Sequence, residues 1–459
     1  INKFKSNIDL DSIIVTANKF PQKQSTTGKV VTVINKEQLK LNYGKTISEI
    51  LTDQVGLQIG GAFGSAGTIQ SVYTRGAASG RTLILIDGVP IYNPAQNNEF
   101  DLNLLNLQNI ERIEILKGAQ STLYGSEAVA GVINIITNKP NIDKLFFFQT
   151  NLSTGSFNTQ KSGVEWGGQF GNFSFVVQND AVNSDGFSFA RDTSGKGNFG
   201  NNGYDGNSHN LTMQYKLTPQ LTIKNYYRKS YYKTNIDADA FKDEKDNTSS
   251  NKNFVSGIGV DFKNDKVTFN FNYQYSENTV NFKNDSIQIS SPYFYFSTND
   301  YFSKFQFAEF YTTIQLSKNI KLLHGADYRF NSMNNQYFSF GSFGPYSSNL
   351  NDTSISQSSI YTSIFWTDNT QQWNIDFGGR LNVHSNYGSN YTYTFNPSYN
   401  INKAFRVFGS ISTAFKTPSL YQLFSSYGDV NLKPEQSISK EVGFSQTNKN
   451  INNRIVYFN

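Results

Sequence analysis

Two grammars of hydrophobic and polar positions divide this chain near Pro140. Beyond it, apolar and polar residues alternate with a period of two. In residues 267–276, Val267, Phe269, Phe271, Tyr273 and Tyr275 share one face, and Thr268, Asn270, Asn272, Gln274 and Ser276 the other. Leu211, Met213, Tyr215 and Leu217 alternate with Thr212, Gln214 and Lys216 in the same way. The pattern predicts about fifteen strands between residues 144 and 459, roughly 21 residues for each strand with its connection. Tight connections are expected near 171–172, 218–220, 263–265, 318–319, 368–371 and 402–403. Longer polar ones are expected over 183–208, 231–251, 277–301, 333–356 and 413–437, with a shorter one at 385–390. Short and long mostly alternate, as in an antiparallel barrel whose long loops share one rim.

Before Pro140 the pattern mixes helix and strand. Asn35 opens a helical stretch (KEQLK), and Thr46 with Glu49 forms a capping box for a helix over 47–54. Residues 82–86, 110–116 and 132–137 are β-branched runs of strand length. Gly118, Gly125 and Gly131 mark places where the backbone turns sharply or meets another closely. The expected organisation is a polar lead-in over 1–19, a small α/β domain over 20–140 and a β-barrel over 141–459.

Composition sharpens this. Aromatics reach 15%, yet mean hydropathy is −0.48 and hydrophobic residues only 37%, which suits a sheet whose two faces meet different solvents. No apolar run approaches the ~18 residues a transmembrane helix needs. With no cysteine there is no disulfide and no thiolate metal site. A formal charge of +5 without a long basic run argues against a nucleic-acid partner.

The segments TRGAASGRTLILIDGVPIYNP (74–94) and IERIEILKGAQSTLYGSEAVAGVINIITNKP (110–140) together resemble the plug domain of TonB-dependent outer-membrane transporters. YGSEAVAGVINIIT (124–137) resembles the vitamin B12 (cobalamin) receptor branch. The resemblance implies a mainly β fold, a transmembrane antiparallel β-barrel with an N-terminal α/β plug in its lumen, set in a bacterial outer membrane among its lipids. It implies import rather than enzymatic catalysis, energised by TonB. Cobalamin or a related corrinoid is the first substrate class and a ferric siderophore the second. Plugged transporters have about 22 strands, so roughly seven are expected beyond the terminal RIVYFN. A passive pore is disfavoured, because a plug of ~120 residues would fill the lumen. A surface-binding protein would not explain a TonB-box-like tether, and no local Ser–His–acid or paired-acid motif supports a hydrolase.

Four groups of residues are candidates for function. The lead-in run Asp11, Ser12, Ile13, Ile14, Val15, Thr16 and Ala17 (DSIIVTA) resembles a TonB box. A short extended segment adds as a strand to a partner's sheet edge. It is expected to be loosely held, with Lys19-Phe20-Pro21 and the following Gln/Ser/Thr stretch as tether; the alternative is an ordinary first plug strand. The loops 58–68 and 92–100 are expected at the plug apex, offering Gln58, Phe63, Ser65, Tyr92, Asn93, Gln96, Asn97 and Asn98 to ligand. They hold no Lys or Arg, which suits a neutral, amide-bearing ligand; otherwise they are plain solvated hairpin loops. Arg75, Arg81, Asp87, Glu111, Arg112, Glu114 and Lys117 either pair with the barrel wall or face a wet lumen. Lys117-Gly118-Ala119 stands where the family commonly has Arg-Gly-Pro, losing a bidentate fork.

Asp185, Asp205, Asp237 and Asp239, on three long loops, are candidate ligands for a structural calcium ion; the bland alternative is solvated acids. The resemblance requires no cofactor. A surface lipoprotein is carried as a further candidate partner. Residues 414–435 resemble the family loop ending in N-L-x-P-E and contain no His, which disfavours haem; His209, His324 and His384 lie far apart in sequence.

Overall fold

In a computed structural model the alternating runs form one continuous antiparallel sheet curved around the N-terminal domain. The structure describes residues 13–140, 145–285 apart from 194, 196 and 198, 296–448 and 451–459.

The N-terminal domain runs β1 (Ile13–Ile14), β2 (Gln22–Lys23), β3 (Val30–Ile34), α1 (Lys36–Leu41), α2 (Ile47–Thr52), β4 (Leu57–Gly60), β5 (Ser71–Thr74), β6 (Thr82–Ile86), β7 (Val89–Pro90), β8 (Ile110–Lys117), α3 (Ser121–Tyr124) and β9 (Gly131–Thr137). Its five-stranded sheet has the order β3-β8-β9-β6-β7, with β6 and β9 parallel. Asn35 and Thr46 cap α1 and α2 in reciprocal capping boxes with Gln38 and Glu49. Every residue of β9 is buried, as its unbroken apolar run requires of a central strand. A Cβ on Gly131 would sit 2.5 Å from the Leu116 carbonyl oxygen, and Gly125 holds φ +75°, so both glycines are needed where they stand.

The wall follows as β10 (Phe147–Gly155), β11 (Thr159–Phe170), β12 (Phe173–Ser184), β13 (Tyr204–Lys216), β14 (Leu221–Asn235), β15 (Asn247–Lys263), β16 (Val267–Asn284), β17 (Phe296–Gln315), β18 (Ile320–Gly341), β19 (Gly344–Thr367), β20 (Trp373–His384), β21 (Gly388–Asn400), β22 (Phe405–Lys416), β23 (Glu435–Asn448) and β24 (Ile451–Phe458). These fifteen strands pair in chain order. Gln274, Ser276 and Asn278 of β16 are buried inward while Tyr273 is exposed outward, as their alternation predicts. Contacts to the N-terminal domain come from Glu165 of β11, Arg228 of β14, Asp376 of β20 and Arg454 of β24, so the sheet wraps it as a barrel wraps a plug.

Two expected loops are different. Residues 333–356 are mostly not loop: β18 and β19 stay paired out to Gly341 and Gly344, with one irregularity at Met333/Asn335. The ladder thus continues well beyond the ~9–11 residues that cross a bilayer. The 413–437 connection carries a short helix, α4 (Leu420–Phe424), capped by Ser419 and Gln422.

Candidate functional site

The lead-in is held, not loose. Ile14, Thr16 and Ala17 are buried, while Ile13 is 63% exposed; Asp11 and Ser12 lie outside the described residues. β1 pairs with β2 through Ile13–Lys23 and Ile14–Gln22. The Glu114 carboxylate, on β8 and wholly buried, organises the docking. Its Oε2 accepts from the Val15 amide at 3.0 Å, the Thr16 amide at 2.8 Å and the Thr16 hydroxyl at 2.6 Å. The Tyr124 hydroxyl donates to the Thr16 carbonyl at 2.7 Å, and Lys29 Nζ to the Ala17 carbonyl at 2.7 Å. The expectation of a free tether fails because the local sequence gives no sign of Glu114, nearly a hundred residues away in sequence.

Lys19 closes the dock. Its Nζ lies 2.6 Å from Glu309 Oε1 of β17, with Tyr124, Tyr311 and Tyr361 rings around it. Burial pushes the ammonium below its ordinary value, against the opposing pull of Glu309. Its backbone φ of +61° is left-handed, a strained state for a side chain of this length that released chain would shed. Beside it, Arg380 Nη2 donates to Asp327 Oδ2 at 2.6 Å, and Arg329 Nη2 to the Tyr124 carbonyl at 2.5 Å. Arg329 also lies 3.4 Å from Glu127 of the plug. Sequence reading missed this cluster, although Asp327 and Arg329, two apart, share the lumen face of one strand.

The candidate ligand residues divide. Tyr92 is 2% exposed and its hydroxyl donates to Asn331 Oδ1 at 3.3 Å. Asn93 is buried, accepting from Ser303 Oγ at 2.7 Å and donating to Gln96 Oε1 at 3.1 Å. Asn97 donates to Glu99, and buried Asn98 to Glu127 Oε1 at 3.1 Å. Leu420 of α4 packs with Ala95, Met333 and Ile355, clamping this loop from above. These side chains anchor the apex instead of offering themselves to solvent. On the other loop, Ser65 is buried and donates to the Asn202 carbonyl, whereas Gln58 is exposed and Phe63 is 70% exposed. Phe63 and Ser65 line a cavity of about 580 Å³ with Phe157, Phe187 and Tyr204.

Three of the seven plug charges find wall partners. Arg75 meets Glu441 at 2.6 Å, Arg81 meets Glu435 at 2.6 Å, and Asp87 meets Arg228 at 3.1 Å. Arg112 pairs within the plug, with Glu111 and Glu114. Lys117 donates to the Val55 carbonyl at 2.5 Å and forms no ion pair among the described residues.

The four loop acids are not gathered into one ligand set. Among the described residues no group of three or more His, Asp or Glu side chains is placed to hold a metal ion. Asp237 instead accepts from the Phe189 and Ala190 amides, Ser188 Oγ and Asn202 Nδ2, stapling two loops together. Asp205 accepts from Asn183 and Asp239 from the Phe241 amide. Asp185 donates its amide to the Phe157 carbonyl. Another loop acid, Glu244, is buried, and burial together with neighbouring Asp246 pushes its carboxyl up to about 7.

Comparison with known proteins matches this layout. The family model described as TonB-dependent Receptor Plug Domain covers residues 23–132, and that described as TonB dependent receptor-like, beta-barrel covers 186–459. The vitamin B12 transporter BtuB of Vibrio cholerae serotype O1 is 27% identical over 452 residues, 95% of this chain and 67% of the relative. That of Photobacterium profundum is 26% identical over 96% of this chain and 68% of its own length. Among solved structures, the siderophore receptor PirA from Acinetobacter baumannii superimposes with a TM-score of 0.72 at 19% identity, over 93% of this chain and 70% of that one. The ferripyoverdine receptor of Pseudomonas aeruginosa does so at 0.76 and 17%, over 97% and 65%. At these identities the solved structures speak to the fold alone.

Proposed function

This chain belongs to the TonB-dependent receptor family of the bacterial outer membrane, and we propose that the nutrient it imports is a corrinoid. The observation that carries this reading is the chemistry of the plug apex. Its two loops hold Gly, Asn, Gln, Ser, Tyr and Phe, with Glu99 their one charge. A ferric chelate of net negative charge calls for convergent Lys or Arg. Tyr92, Asn93, Asn98 and Ser65 are bonded into wall or plug, which leaves the exposed Gln58 amide and Phe63 ring to meet a neutral, amide-bearing ligand. Support also comes from relatives named vitamin B12 transporters, which align with nearly the whole chain.

In the same reading, residues 11–17 are the segment TonB engages. The docked geometry is its resting state, and engagement adds the freed run as a strand to TonB's sheet edge. The ion pairs of Arg75, Arg81 and Asp87 with the wall hold the plug while the lead-in is pulled.

Equilibrium titration with cyanocobalamin against a panel of ferric siderophores, with and without calcium, tests the substrate. Submicromolar corrinoid binding is expected, about −8 kcal/mol or better. Saturable binding of a ferric siderophore with no corrinoid binding would overturn the assignment.

A further inference from the structure

Four exposed lysines on the outward face of the wall stand in one sector, apart from Lys440 on β23. Lys229 and Lys233 of β14, Lys252 of β15 and Lys304 of β17 are all exposed. None of the four forms an ion pair or a side-chain hydrogen bond among the described residues. Lys252 lies 5.6 Å from the Tyr231 ring centre, a loose cation–π contact. The register brings three of them together: Lys229 stands opposite Phe254, Tyr231 opposite Lys252 and Lys233 opposite Ser250, so these lysines are diagonal neighbours on adjacent strands. Lys304 is two strands further on, opposite Glu277.

Their height is informative. Tyr227, Phe254 and Tyr275 form a continuous outward aromatic row, with ring centres 5.2 and 6.5 Å apart. Below it the same faces carry Ile223, Ile258, Val260 and Phe271, the apolar band that meets lipid tails. An aromatic row at the end of such a band marks the membrane–water interface. Lys229 follows Tyr227, and Lys252 follows Phe254, by two residues toward the long loops, roughly 7 Å along each strand. At comparable heights β19 and β20 carry Ser356, Ser358 and Val383, so the basic patch is local and not a general rim.

We infer that this patch binds the phosphate-bearing headgroup of an outer-leaflet lipid. The position excludes the ligand path, which runs on the other face of the same strands. Lysines at headgroup height whose stems lie along apolar surface are placed to meet lipid phosphate directly. Two acids border the patch: Glu277, which accepts from the Tyr275 hydroxyl, and Asp205, which accepts from Asn183. They leave an excess of positive charge and confine the anion to the Lys229–Lys252 side.

The test is to hold the full protein in neutral-lipid nanodiscs and titrate it with diphosphoryl lipid A and with the same lipid after dephosphorylation, counting bound lipid by native mass spectrometry. The phosphorylated form should bind selectively. The triple variant Lys229→Gln/Lys252→Gln/Lys304→Gln should weaken it on the order of 100-fold, and Lys252→Gln alone by about fivefold. Replacing Lys263, Lys266 and Lys403 at the opposite rim by Gln is the control and should change nothing. Equal binding of the two lipids by the natural protein would overturn the inference. So would a triple variant that retains its heat-modifiable barrel and binds as before, or a control that falls equally.

Discussion

Replacing Glu114 by Ala should free the lead-in without unfolding the plug. One carboxylate oxygen accepts three hydrogen bonds from Val15 and Thr16, at 2.6–3.0 Å and away from water. Hydrogen bonds to a charged group contribute about 1.5–3 kcal/mol each. Three donors sharing one acceptor do not add fully, so their joint loss is placed near 3 kcal/mol, about a hundredfold shift toward the undocked state. The Tyr124, Lys29 and Lys19 contacts remain and keep docking from vanishing. Glu114→Gln retains an acceptor but drops the charge, which halves the strength of such bonds, so roughly a tenfold shift is expected. Hydrogen exchange at the Val15 and Thr16 amides reads this directly, with the β8 amides of Ile113 and Ile115 reporting that the plug sheet survives. Affinity for the TonB C-terminal domain should tighten by the same factor, until the freed state dominates. Unchanged exchange at Val15 and Thr16 in Glu114→Ala, with β8 still protected, would refute the account of the dock.

Lys19→Met should loosen residues 17–20 as well, because one partner removed from a buried pair costs about 3–5 kcal/mol. Limited proteolysis after Lys23 reads the result, and resistance equal to the natural protein would show that the pair does not tether. Tyr92→Ala with Asn93→Ala should weaken corrinoid binding by loosening the 92–100 loop. Tyr92→Phe loses one long hydrogen bond and should cost about 1 kcal/mol or less; a large loss of affinity from Tyr92→Phe would mean the hydroxyl touches ligand. The Glu244 carboxyl, pushed from 4.5 up to about 7, favours the ordered loop most when protonated. Its contribution to loop order is therefore fully present below pH ~4.5 and lost as pH rises through about 7. Hydrogen exchange over residues 236–246 should follow that window, and Glu244→Gln should flatten it.

The parts of the molecule legible in the sequence are those set by a short repeat. Alternation places Tyr273 in lipid and Gln274 against the plug, and two capping boxes start α1 and α2 where expected. The same local logic misjudged residues 333–356, since a hairpin beyond the membrane has water on both faces and loses the apolar half of its signal. Site chemistry was harder, because its partners are distant in sequence and depend on strand register. A polar loop with Tyr92 and Asn93 looks alike whether those side chains meet ligand or brace the wall; Ser303 and Asn331 decide it, more than two hundred residues later. The lead-in is the sharpest case. Its own residues describe a segment fit to be pulled, while Glu114, Tyr124 and Glu309 describe one that is held. Both descriptions are required of a handle that must stay docked until transport begins. A segment read only from its own residues shows the state it enters when released, and its distant partners show the state from which it starts.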